Sequence, residues 1–179
     1  MNNYKERILK FHQSSINIIK SNKSFIDINK TLSETFLSKY KIDTLPNNIS
    51  GLLYHIKSHL ESLKIITTLP IIVIKGNIYT FDFLNNELLK YKETKTIENE
   101  EFSISLFLDL EKSLLAYENL AYQEGILQIG SISQTIFNFC NENNLQVIDK
   151  FVITQKRTHE LGINITKQLL IKSIFIKEI

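Results

Sequence analysis

Two hydrophobic rhythms alternate along this chain. Between positions 69 and 110 apolar residues come in short runs or at every second position, the period of a strand. Residues 69–75 form an apolar run rich in β-branched side chains. Residues 77–83 set Ile78, Thr80 and Asp82 against Tyr79, Phe81 and Phe83. Leu84-Asn85-Asn86 then leads into 87–91, which predicts a hairpin, because Asn tolerates the left-handed backbone of a tight turn. A polar loop is expected over 92–101, and 102–110 alternate again as another strand.

From 123 to 141 the period becomes helical. Ile129, Ile132, Ile136 and Cys140 line one stripe, with Phe139 beside it. Gly125 and Gly130 lie inside this helix, where each costs about 1 kcal/mol relative to alanine. Close approach of another backbone or a ligand explains them better than helix stability does. A final alternating strand covers 169–177. Nearer the N-terminus, a short helix is expected over 4–11. Thr31 and Glu34 have the spacing of a capping box, which predicts a helix running through Tyr40 with Leu32, Phe36 and Leu37 on its inner face. Hairpins, a long helix and a terminal strand together predict an α+β domain.

Five glycines and two prolines in 179 residues leave no linker-like stretch, and no repeat is visible, so a single domain over 1–179 is expected. A formal net charge of +2 argues against a nucleic-acid or acidic-membrane partner, which would demand a clustered basic face. Cys140 is the only cysteine, so no internal disulfide forms and a reducing cytoplasm is expected. Neither a signal peptide nor a membrane span is read in the sequence.

The remaining polar candidates are sparse. His55 and His59 stand four apart, one face of a helix if that segment is helical, but a metal centre needs more ligands, and no metal is expected. His12 and His159 are isolated. Lys156 and Arg157 form a basic pair able to meet a phosphate, although such pairs are more often simply solvated. Cys140, on the apolar stripe, reads as a small core residue.

Four collinear blocks resemble the FMN-dependent azoline dehydrogenases of the nitroreductase fold, the SagB- and McbC-type enzymes of streptolysin and microcin maturation. Ser21-Asn22-Lys23-Ser24-Phe25 with Leu32-Ser33-Glu34-Thr35-Phe36-Leu37 resembles the family's opening. Lys23 falls on its flavin-contacting arginine and keeps the charge without the planar fork. Asn48-Ile49-Ser50-Gly51-Leu52-Leu53-Tyr54 resembles the block that lines the flavin. There Gly51, Leu53 and Tyr54 match, Ile49 replaces a serine, and Ser50 is the neighbouring hydroxyl. Gly76-Asn77-Ile78-Tyr79-Thr80-Phe81-Asp82 resembles a structural segment. In the last block Tyr117 falls on the tyrosine of the catalytic Lys-Tyr pair, Ala116 on its lysine and Leu120 on an arginine, while Tyr122 matches. Gly130 and Gln134 also match, Ser131 replaces a histidine, and Thr135 an asparagine. Asp149-Lys150-Phe151 and Glu160-Leu161-Gly162-Ile163 resemble the family's ending, a short helix before the last strand.

The resemblance implies a nitroreductase-like fold with a mixed or antiparallel sheet and a central helix. It also implies a dimer, identical or with a related flavoprotein, whose FMN sites lie between subunits. It assigns Tyr117 a catalytic role, and Lys23, Ser50, Gly51 and Gln134 cofactor contacts. The implied substrate is a ribosomally made peptide, oxidised from azoline to azole beside a cyclodehydratase complex. Tyrosine has a reference pKa near 10 and needs a neighbouring cation to serve as a base; Ala116 supplies none. Three readings stay open: a divergent dehydrogenase, a catalytically silent structural or substrate-binding subunit paired with an active paralogue, and an unrelated α+β binding module.

Overall fold

A computed structural model of the chain describes residues 36–63, 65–83, 85–91, 97, 100–149, 154–163 and 167–178. These belong to one compact unit, Thr35–Ile179. The expected helix over 4–11, Lys23 and the start of the capping-box helix lie outside the described residues.

Among the described residues, seven strands form one sheet. In chain order they are β1 (Phe36–Lys41), β2 (Thr68–Ile74), β3 (Asn77–Asp82), β4 (Glu87–Tyr91), β5 (Phe102–Asp109), β6 (Leu145–Asp149) and β7 (Gln168–Glu178). Their spatial order is β1-β4-β3-β2-β5-β7-β6, and every described pairing is antiparallel. The helices are α1 (Asn47–Ser62), α2 (Leu110–Tyr117), α3 (Ala121–Glu142) and α4 (Thr154–Glu160).

The strand hairpins follow the expected pattern. Lys75 (φ 47°) and Gly76 (φ 74°) make a two-residue turn between β2 and β3, both in the left-handed region that twisted strands require. Asn86, at φ 57°, closes the β3–β4 turn. The helix expected through Tyr40 is corrected: Phe36–Lys41 is a strand, paired antiparallel to β4 with Tyr40 opposite Leu88. Tertiary pairing overrides the local helix signal here. Tyr40 meets the Tyr79 ring edge-on at 5.7 Å, and Lys39 pairs with Glu87 at 3.5 Å.

The centre of the sheet is buried on both faces. Ile72, Ile104, Leu106, Leu108, Ile174 and Ile176 point toward α1 and α3. There they meet Leu52, Leu53, Ile56 and Leu60 of α1 and Ile129, Ile132, Ile136 and Cys140 of α3. The opposite face gathers Ile71, Val73, Ile78, Phe107 and Leu170 under Leu161 and Ile163. This explains why all of Phe102–Leu108 is buried although its sequence alternates Ser and apolar residues.

α3 realises the predicted stripe, with Ile129, Ile132, Ile136 and Cys140 all buried. Its glycines differ. A Cβ at Gly125 would lie 2.2 Å from Leu108 Cδ1, so this glycine lets the helix settle on β5. A Cβ at Gly130 would meet nothing within 4 Å. Among the described residues, no helix is long and apolar enough to cross a membrane.

Candidate functional site

Tyr117 ends α2, a helix capped by Asp109, whose side chain accepts from the Lys112 backbone N–H at 3.0 Å. The next residue, Glu118, takes φ 47°, an uncommon conformation for a side-chain-bearing residue. A single 3₁₀ turn, Glu118–Leu120, then feeds α3. The elbow leaves Tyr117 half-buried and turns its phenol toward α3, where Gln128 Nε2 donates to the hydroxyl oxygen at 3.3 Å.

Gln128 is 8% exposed and spends its whole side chain. Oε1 accepts from the Thr67 backbone N–H at 3.1 Å and from Thr67 Oγ1 at 3.0 Å. Nε2 also donates to the Ile65 carbonyl at 2.7 Å. The sequence reading did not single out this residue. Its signal was present: Gln128 stands four before Ile132, a polar residue on an apolar stripe.

The other candidates lie elsewhere. Ser50 Oγ bonds back to the Asn47 carbonyl at 3.1 Å. Ile49 packs against the main core, which accounts for an apolar residue there. Gly51 sits under α3, where an added Cβ would come within 3.1 Å of Phe139 Cζ. Gln134 is exposed on the outer face of α3 and donates to Asn138 Oδ1 at 2.8 Å. Along α3, Gln128 and Phe139 are eleven residues apart, about 16 Å at 1.5 Å per residue. One chain therefore does not gather Tyr117 and Gly51 into a single pocket.

Lys156 is exposed, as expected of a solvated basic residue. Arg157 is not: it is 4% exposed and forms a double hydrogen bond with Glu100, at 2.7 and 2.5 Å. Its Nη2 also reaches Ser103 Oγ at 2.9 Å, and its guanidinium lies 5.3 Å from the Phe175 ring centre. It is neutralised and turned into the second core, unavailable to a phosphate. His55 and His59 do share a helix, but each is turned to α3: His55 beside the Phe139 ring, His59 Nε2 2.9 Å from Ser131 Oγ. Among the described residues no three potential metal ligands cluster.

An FMN site needs cations for a phosphate and hydrogen-bonding groups around a flat ring. The described candidates do not supply them together. Ser50 is bonded within its own helix, Gly51 is filled by Phe139, and Arg157 is matched by Glu100. The residues described do not fit a complete flavin site in one chain.

Comparison with solved structures identifies the class of this fold. A candidate nitroreductase from Ralstonia eutropha aligns over 88% of this chain and 85% of its own, with a TM-score of 0.60 and 10% identity. A candidate nitroreductase from Anabaena variabilis aligns over 93% of this chain and 46% of its own, with a TM-score of 0.61 and 13% identity. A chain of the E. coli microcin synthetase McbBCD complex, with truncated pro-MccB17 bound, aligns over 63% of this chain and 52% of its own, with a TM-score of 0.56 and 11% identity. The chain thus spans about half the length of the microcin synthetase chain it matches. No protein-family model and no curated protein matches the chain. The fold is α+β and nitroreductase-like.

Proposed function

We propose that this chain is a divergent, azoline-dehydrogenase-type subunit of a peptide-tailoring assembly in the cytoplasm. In this reading it contributes Tyr117 to a shared site but holds no FMN of its own. The observation that carries the reading is the contrast between its candidates. The Tyr117 hydroxyl meets the side-chain amide of Gln128, with its own proton unused there, whereas Ser50, Gly51 and Arg157 are committed to internal contacts. The nitroreductase-like fold and the likeness to a chain of a microcin synthetase complex with its peptide bound support the pathway.

The reading requires a partner that holds the flavin, a related flavoprotein subunit. The outer face of α3 suits one. Gly125–Asn141 carries no charged residue, and Leu127, Gly130, Ser131, Gln134 and Asn138 are exposed. Interface centres are depleted of charge, whereas solvated helix faces usually carry it. FMN, when bound by a partner subunit, would accept the hydride in azoline oxidation. This chain's part would be to present the Tyr117 phenol, bonded to Gln128, to that shared site.

Sedimentation of the purified chain, with and without Leu127→Lys, tests the pairing. Capture of a flavoprotein, abolished by the substitution, is expected. A monomer that captures no flavoprotein at any accessible concentration would count against the reading.

A further inference from the structure

We infer that Gln128 is a positioning residue for Tyr117. It holds the phenol by its oxygen and leaves the phenolic proton as the group presented to the site. The inference rests on the reading of Tyr117 as this subunit's contribution.

Donors and acceptors fix the orientation of the amide. A backbone N–H can only donate, so the Thr67 contact fixes Oε1 of Gln128 as the acceptor end of the amide. Nε2 must then face the other way, and both of its protons are used. One goes to the Ile65 carbonyl, which can only accept, and the other to the Tyr117 oxygen. Tyr117 therefore accepts from Gln128 and keeps its own proton for another acceptor. Three of the four bonds, to Ile65 and Thr67, tie the segment before β2 onto α3. None of them involves the phenol. The fourth and longest bond, at 3.3 Å, adds little to that tie but sets where the phenol points.

Ala116 sharpens the point. The neighbouring cation that would orient and polarise the phenol along the chain is absent. The group that replaces it comes from eleven residues away, on another helix, and is neutral.

The test uses the full chain without added cofactor. In the 15N-labelled protein, Tyr117→Phe is expected to move the Gln128 side-chain amide resonances and leave the Thr67 backbone amide in place. The midpoint of thermal unfolding should change by no more than a few degrees. With fluorotyrosine incorporated, Gln128→Met is expected to move the 19F line of position 117, identified by its loss in Tyr117→Phe, and no other line. Gln128 resonances that ignore Tyr117→Phe would overturn the inference. So would a Thr67 amide that moves with them, since the phenol would then be a strut of the whole clamp. Should Gln128→Met fail to fold, the Tyr117→Phe comparison decides alone. Flavin bound by the chain itself would sink the functional reading without touching these signals, so the two failures are separable.

Discussion

Beside Lys156, which faces solvent, Arg157 turns inward to Glu100. Breaking a buried charge pair from one side strands the other charge, at about 3 kcal/mol or more. Glu100→Gln should therefore lower stability by about 3 kcal/mol in a denaturant titration, whereas Lys156→Gln should change it by less than about 0.5 kcal/mol. Two adjacent basic letters look alike in a sequence. What separates them is a carboxylate 57 positions away, which no local pattern reveals. Cys140 was legible, because the apolar stripe predicts its burial. Burial pushes its thiol up to about 11. The folded state thus favours the neutral thiol. That contribution is fully present below the ordinary thiol pKa of about 8.5 and is lost as pH rises through about 11. Native protein should resist thiol reagents at pH 8, and this alkaline loss of stability should be absent in Cys140→Ala.

At the scale of elements, α3 was readable because a 22-residue amphipathic helix repeats its signal many times. α1 was missed although Leu52, Leu53, Ile56 and Leu60 share its buried face. Its start carries no side-chain cap; the Pro46 carbonyl instead accepts from the backbone N–H groups of Ile49 and Ser50. β1 was misread because a capping-box spacing is a four-residue signal, whereas pairing with β4 is a contact across about fifty residues. β6 was also missed, a short edge strand recognisable only by its pairing with β7. The two glycines of α3 give opposite predictions. Gly125→Ala should destabilise by about 1–3 kcal/mol, because its methyl group has to displace Leu108. Gly130→Ala should stabilise by about 0.5–1 kcal/mol, because the space is open and alanine favours the helix. Thermal unfolding of the two variants checks both; a like response would mean that α3 does not lie on β5 as described.

At the scale of the molecule, the described residues form one antiparallel sheet with a core on each face, and α3 leaves an outer surface that is uncharged over Gly125–Asn141. The motif spacing made the fold legible, because fold-determining residues such as Gly51 and the α3 stripe keep their places in the core. The site was less legible. A motif gives the position of Tyr117, but only the packed structure shows that Gln128 donates to its oxygen, that Phe139 lies against Gly51, and that these two contacts sit eleven residues apart along α3. The most direct measurement is the absorbance of the purified chain between about 350 and 500 nm, before and after adding FMN and removing the excess. The account predicts a colourless protein that retains no flavin alone. Flavin retained near one equivalent per chain would contradict it, and would mean that this chain builds the complete site its described residues do not.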